Sequence, residues 1–195
     1  MTDAIDAIHQ DHLNLDKVLA VLESVVDDLD RSPGGGSPGA AVDLLTSVIY
    51  YIRVFPDRFH HPKEEEYLFK ALARRCPEAA DVIARLQAQH KEGEALIDSL
   101  DRAVKDWEAD PLAGIAGLRE AAHAYVRFQR QHMGLEEREI LPLARKHLGD
   151  EDWRALNRVF RQDSDPLFGE NLETGFRALF GRISRAAPAA RAGKD

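Results

Sequence analysis

The feature of this sequence that most constrains its fold is a histidine followed four residues later by an acidic residue, because this pair recurs along the chain. Six of the eight histidines show this spacing. Chance placement of the 34 acidic residues in a chain of 195 would produce fewer such pairs. In an α-helix, residues four apart are separated by about 40° around the axis and about 6 Å along it. An imidazole and a carboxylate can then point at one spot, so each pair is half of a potential metal site. The pairs are His12–Asp16, His60–Glu64, His61–Glu65, His90–Glu94, His132–Glu136 and His147–Glu151.

Composition limits the class of protein. A length of 195 residues, with 44% hydrophobic and 31% charged residues, suits one globular domain, and the abundance of Leu, Ala, Glu and Arg predicts an all-α protein. A net charge of −8 without a basic cluster argues against a nucleic-acid partner. The single cysteine, Cys76, excludes a disulfide framework and a thiolate metal cluster. The acidic start and the lack of a long apolar run predict a cytoplasmic protein with no membrane partner.

Apolar periodicity predicts four long helices followed by two short ones. Pro56 and Pro62 lie inside the second long segment and predict a kink or a restart there. The two short pieces carry Trp153 and Phe160, and Phe176 and Ile183, at helical spacing. We therefore predict a bundle over residues 1–149, an extension over 150–186 that packs on the bundle or in a dimer contact, and a disordered tail over 187–195. The long segments cover about residues 3–30, 40–75, 78–107 and 110–148.

Each long segment brings a histidine to its apolar stripe. His12 shares its direction with Ile8 and Leu15, and His90 shares its direction with Glu94. Four such helices with short connections predict an up-down-up-down bundle. A lone inward histidine is usually a core residue with a hydrogen-bond partner. Four of them with inward carboxylates predict a metal site, because a metal satisfies all of these groups at once.

The second helix leaves two alternatives open. A continuous helix places His60, Glu64 and Tyr67 on the inward face, whereas a break at Pro62 brings His61 inward. In the continuous helix, Tyr67 is predicted to be a core residue. In the run Glu64–Glu66, one acid is predicted to be a ligand and its neighbours to be solvated.

The donor types predict the metal. Six or more nitrogen and oxygen ligands without a thiolate exceed what a tetrahedral zinc site takes. They suit two non-heme iron ions with carboxylate or oxo bridges, and manganese or zinc are the alternatives.

These motifs resemble the hemerythrin-like (HHE cation-binding) family over about residues 5–148. The family signature is an inward His on the first helix, His-x-x-x-Glu followed by Glu-x-x-Leu-Phe on the second, His on the third, and His-x-x-x-Glu on the fourth. The resemblance implies a four-helix bundle around a di-iron site. His61, if the helix breaks at Pro62, and Glu94, through its place on the inward stripe, are further candidate ligands. The matching positions, implied to be metal ligands, are His12, His60, Glu64, His90, His132 and Glu136.

Two positions depart from the oxygen-carrying members of the family. Those members have a histidine where this chain has Glu94, and His-x-x-x-x-Asp where this chain has His132 and Glu136. A carboxylate in place of an imidazole should favour ferric iron and speaks against reversible oxygen carriage.

A ferritin-like site using Glu120 and His123 is disfavoured, because His123 lies about 180° around its helix from His132. His123 and His147 are predicted to be surface residues.

Three functions follow from this site. The preferred one is a non-enzymatic di-iron protein, with a homodimer as an option for its assembly, that binds or senses O2, NO or iron itself. The alternative is a di-iron enzyme that consumes peroxide or nitric oxide or repairs damaged iron centres. The third is a purely structural bundle with buried polar networks.

Overall fold

A computed structural model describes residues 4–31, 38–160, 165–168 and 176–186. These residues form helices and turns without a strand, so the predicted all-α fold is confirmed. A short 3-10 turn, Pro77–Ala79, precedes the third long helix. The α-helices are α1 (Ala4–Arg31), α2 (Pro38–Val54), α3 (His61–Lys63), α4 (Lys70–Arg75), α5 (Ala80–Ala109), α6 (Pro111–Leu135), α7 (Leu141–His147), α8 (Asp150–Phe160) and α9 (Arg177–Ala186).

Three π-helical segments lie within the bundle. Pro56–His60 and Glu64–Phe69 connect α2, α3 and α4, and Glu136–Ile140 connects α6 to α7. The predicted disturbance near Pro56 is such a segment, in which the His60 N–H donates to the Phe55 carbonyl five residues earlier, at 3.1 Å. A π-turn takes in one extra residue and turns later side chains by about 100°. We call α1, α2–α4, α5 and α6–α7 the first to fourth bundle helices.

The four bundle helices pack side by side, and the second also contacts the fourth through α4 and α7. The first packs against α2 and α6, and α5 packs against the same two elements, which gives the predicted up-down-up-down bundle. The core consists of two apolar clusters, with Leu19 and Tyr51 in one and Phe69 and Leu86 in the other. His12 lies along α1 between the two clusters, so the polar side chains occupy the middle of the bundle.

The turn between α5 and α6 brings two backbones close together. The Asp110 side chain accepts hydrogen bonds from the N–H groups of Leu112 and Ala113 at 3.2 and 3.1 Å, as expected for an N-cap. Four residues into the next helix, a Cβ on Gly114 would lie 2.5 Å from the Trp107 Cα. The absent side chain therefore allows the two helices to approach.

Gly114→Ala should lower the free energy of unfolding by about 1–3 kcal/mol, because the added methyl group meets backbone atoms. Gly117 is the matched control, since an added Cβ there has nothing within 4 Å. Gly117→Ala should raise stability by about 0.5–1 kcal/mol through helix propensity. Urea unfolding of both variants measures the difference in their free energies of unfolding. Equal stabilisation by both substitutions would contradict the close approach of Gly114 to the Trp107 backbone.

The C-terminal extension packs on the bundle. α8 contacts α1 and the segment Glu64–Phe69, while α9 contacts α1 and α2. Asp165 anchors the chain between them, since its carboxylate accepts from Asn14 Nδ2 at 3.2 Å and from the Tyr51 hydroxyl at 3.0 Å.

The domain boundaries and the dimer contact remain predictions, and the predicted tail over 187–195 lies outside the described residues. Among the described helices, none is long and apolar enough to cross a membrane.

Candidate metal centre

Seven ionisable side chains converge in the middle of the bundle, and none is more than 8% exposed. The first, third and fourth bundle helices contribute one histidine each, and the second contributes two. The two glutamates come from the second and fourth. They are His12, His60, His61, Glu64, His90, His132 and Glu136.

The two glutamates divide the histidines into two sets. Glu64 Oε1 lies 3.4 Å from His60 Nε2, and Glu64 Oε2 lies 3.7 Å from His90 Nε2. Glu136 Oε2 lies 3.2 Å from His12 Nε2, and Glu136 Oε1 lies 3.4 Å from His132 Nε2. Each carboxylate therefore places one oxygen in each set, as a bridge between two metal ions would.

The spacing of the ligand atoms fits two ions. Two donors bound about 2.1 Å from one ion at a right angle lie about 3 Å apart. The donor atoms of His12, His60 and Glu64 lie within 4.8 Å of one another. His61, His90 and His132 form a second such group. We call these the two-histidine position and the three-histidine position.

Eight of the donor atoms have no hydrogen-bond partner within the part of the chain that the structure describes. Each unsatisfied buried polar group costs about 1–3 kcal/mol, so the cluster destabilises the fold unless something fills it. Bound cations would satisfy nitrogens and carboxylate oxygens together. The buried atoms without a hydrogen bond include Nε2 of His12, His60, His90 and His132 and both oxygens of Glu64 and Glu136.

On four histidines, the other ring nitrogen is held by an acceptor from a different bundle helix. His12 Nδ1 lies 3.1 Å from Glu137, and His60 Nδ1 lies 2.9 Å from Asp11. Such contacts place the proton on Nδ1 and leave Nε2 free for a metal.

The other two acceptors come from the second and third bundle helices. His90 Nδ1 lies 2.7 Å from Glu65, and His132 Nδ1 lies 3.2 Å from Gln89. We call Asp11, Glu65, Gln89 and Glu137 the acceptor ring. On His61, the Nδ1 atom lies 3.5 Å from Asp57 of its own helix.

The comparison with protein families agrees with this geometry. A family model for the hemerythrin HHE cation binding domain matches residues 3–144. The chain belongs to the hemerythrin HHE family. A search of curated proteins gave no match. Family membership and the buried His and Glu clusters together support cation binding by this hemerythrin-family protein.

In the metal-free protein, a proton on a histidine supplies part of the positive charge that a metal ion would bring. Burial disfavours charge on His12, but contacts with the carboxylates of Glu136 and Glu137 outweigh burial and raise the pKa of His12 to about 9. Burial lowers the pKa of His132 to about 4. The metal-free hemerythrin centre thus keeps an imidazolium at His12 and a neutral imidazole at His132.

The metal-free protein should lose stability between pH 6.5 and 9. The pKa of His12 rises from its ordinary value of 6.5 to about 9 on folding. Its contribution is complete below pH 6.5 and is lost as the pH rises through 9, by on the order of 3 kcal/mol. Urea unfolding in the presence of a chelator measures it. His12→Gln is the control and should show a smaller change, and an equal change in both proteins would refute this origin.

A cavity of about 10 Å³ adjoins the centre and is large enough for one water-sized sphere. Histidines from both positions and several apolar side chains line it. The lining residues are Asp11, His12, Leu15, Phe55, Pro56, His60, His61, His132, Met133 and Glu136.

The second bundle helix combines parts of the two predicted alternatives. The extra residue of the Pro56–His60 segment brings both His60 and His61 inward. The prediction that Tyr67 is a core residue is wrong, since it is 44% exposed. Glu94, a candidate ligand by sequence, is exposed and lies outside the metal-ligand groups.

Sequence reasoning missed the acceptor ring. Glu65 was expected to be a solvated neighbour of Glu64, but it contacts His90. A signal was present, because Asp11 and Gln89 each precede a predicted ligand and Glu65 and Glu137 each follow one. His123, outside the centre as predicted, contacts Asp27 at 3.0 Å.

Proposed function

We propose that this protein is a non-heme di-iron protein that binds or senses a small diatomic ligand such as O2 or NO, or iron itself. The observation that carries the proposal is the bridging arrangement of Glu64 and Glu136, each with one oxygen in each position. Five imidazoles and two carboxylates are donors that suit two iron ions.

The side chains would share the work of holding the ions. His12 and His60 would hold one, and His61, His90 and His132 the other, with both glutamates between them. Iron would supply a change of valence and a coordination site for an added ligand. Leu15, Phe55 and Met133 line the adjacent cavity and restrict entry of water and of bulky molecules.

The size of the cavity supports a small ligand. A volume of about 10 Å³ corresponds to about one water molecule, so a diatomic molecule fits with little rearrangement. The apolar side chains that line the cavity favour a neutral molecule over a hydrated anion.

Metal analysis and gas binding test the proposal. Anaerobically purified protein should contain about two iron ions per chain, and NO or O2 should change its absorption spectrum in proportion to the iron bound. Zinc-loaded protein is the control and should show no spectral change. A gas that leaves the spectrum of the iron-loaded protein unchanged would refute diatomic binding.

The same preparation separates the other functions. Catalytic loss of peroxide or nitric oxide would indicate an enzyme. Full thermal stability after removal of all metal, with no iron in the purified protein, would indicate a structural bundle.

A further inference from the structure

The acceptor ring forms a closed circuit around the bundle. The first bundle helix supplies Asp11 to His60 of the second, and the second supplies Glu65 to His90 of the third. The third supplies Gln89 to His132 of the fourth. The circuit closes where the fourth supplies Glu137 to His12 of the first. Every bundle helix therefore gives one acceptor to a neighbour's imidazole and at least one imidazole to the metal positions, and the second gives two.

The ring also has an internal repeat. Asp11 precedes His12 and Gln89 precedes His90 in corresponding places on the first and third bundle helices. On the second and fourth, a histidine is followed after four residues by a ligand glutamate and then directly by Glu65 or Glu137. The two halves of the acceptor ring thus match, except that Gln89 is neutral where its counterpart Asp11 is charged.

The carboxylates that contact the histidines surround both metal positions with negative charge. Six carboxylates contact the five histidines, and two of them are the bridging glutamates. Burial raises the pKa of Asp57 to about 7, so its charge is left out of the balance. Two divalent ions would leave one of the other five negative charges unbalanced, whereas two trivalent ions would offset all five. Arg53 lies near Asp57 but pairs with Asp98 at 2.7 Å. The six carboxylates are Asp11, Asp57, Glu64, Glu65, Glu136 and Glu137.

We propose that the acceptor ring selects trivalent over divalent metal ions at this centre, and that neutral Gln89 limits how strongly it does so. The proposal rests on the proposed two-metal function but requires neither iron nor a gas. A carboxylate that accepts from Nδ1–H makes the imidazole a stronger donor and adds negative charge close to the ion. Both effects grow with the charge of the ion. The ring members act through the histidines and are positioning residues.

Glu65 gives the sharpest test. In Glu65→Gln, an amide oxygen can still accept from His90 Nδ1, as the Gln89 amide does from His132. The hydrogen bond is kept and one negative charge is lost. Glu66→Gln is the matched control, because Glu66 loses the same charge one residue away but is exposed and pairs with Lys70. Gln89→Glu makes the opposite change and adds a seventh carboxylate.

Competition between Ga³⁺ and Zn²⁺, which do not change valence under these conditions, gives the primary readout. The ratio of Ga³⁺ to Zn²⁺ affinity should fall about tenfold or more in Glu65→Gln and rise in Gln89→Glu. Glu66→Gln should stay close to the wild type. In iron-loaded protein, the reduction potential should rise by at least about 59 mV in Glu65→Gln, which is the same tenfold factor for one electron.

The outcomes separate this proposal from the function on which it rests. If the Ga³⁺ to Zn²⁺ ratio follows the ring charge while the purified protein holds no iron, ion selection stands and the di-iron function fails. If both ions bind but Glu65→Gln and Glu66→Gln shift the ratio equally, general surface charge explains the effect and the proposal is overturned. An unchanged ratio in Gln89→Glu, or failure of the wild type to bind either ion, also overturns it.

Discussion

Replacing Glu136 by glutamine should remove both metal ions from the protein. Each carboxylate oxygen of Glu136 faces a different metal position, at 3.2 Å from His12 Nε2 and 3.4 Å from His132 Nε2. The amide offers one oxygen and turns an NH2 group toward the other position, where it cannot bind a cation. The metal content should fall from about two ions per chain to nearly none.

Glu139→Gln is the control for this experiment. Glu139 lies in the same π-helical segment but is exposed, so its substitution should leave the metal content unchanged. Metal bound to the folded state raises stability by about 4 kcal/mol when its free concentration is a thousand times its Kd. The wild type and Glu139→Gln should therefore gain thermal stability with added metal, and Glu136→Gln should not. Two ions retained by Glu136→Gln would refute the bridging role.

Replacing His61 by alanine should weaken the binding of one ion and leave the binding of the other unchanged. The His61 ring stacks on His90 with centroids 4.3 Å apart and lies on the three-histidine side of the centre. Without it, that position keeps two imidazoles and shares both carboxylates. The two-histidine position keeps all its donors, so a metal titration should show one ion bound as in the wild type and the other bound more weakly.

Two controls accompany His61→Ala. Glu94→Ala should retain both ions, because Glu94 is exposed although the sequence pattern places it on the inward stripe. His123→Ala removes a histidine that contacts Asp27 outside the centre and should also retain both. If Glu94→Ala lost metal while His61→Ala bound both ions as the wild type does, Glu94 and not His61 would be a metal ligand. A continuous second helix and the inward stripe of the third helix predict that result.

Much of the architecture follows from local periodicity. Apolar residues at helical spacing predict the four bundle helices, and the structure places His12 and His90 inward on uninterrupted helices, where a simple 100° step holds. His132 and Glu136 are also brought inward, since the π-helical segment begins at Glu136 and disturbs only later residues. The donor types and their spacing were enough to predict a metal site.

The second bundle helix shows where the periodicity fails. Pro56 lacks an N–H group, and the π-turn that follows it takes in an extra residue. His60 and His61 then both face the centre, and Tyr67, within the next π-helical segment, faces solvent. A proline predicts a disturbed helix, but a kink, a restart and a π-turn share the same local signal. Packing of Phe55 and Phe69 in opposite core clusters accompanies the observed register.

The sequence by itself determined the helices, their inward faces and a histidine-carboxylate centre, because these depend on spacing along one chain segment. The tertiary structure decided which donors share an ion, the inward turn of His61 and the exposure of Glu94. It alone showed that Asp11, Glu65, Gln89 and Glu137 hold the histidines of neighbouring helices. Those contacts join residues on different helices, and their existence depends on how the helices are rotated and packed against one another.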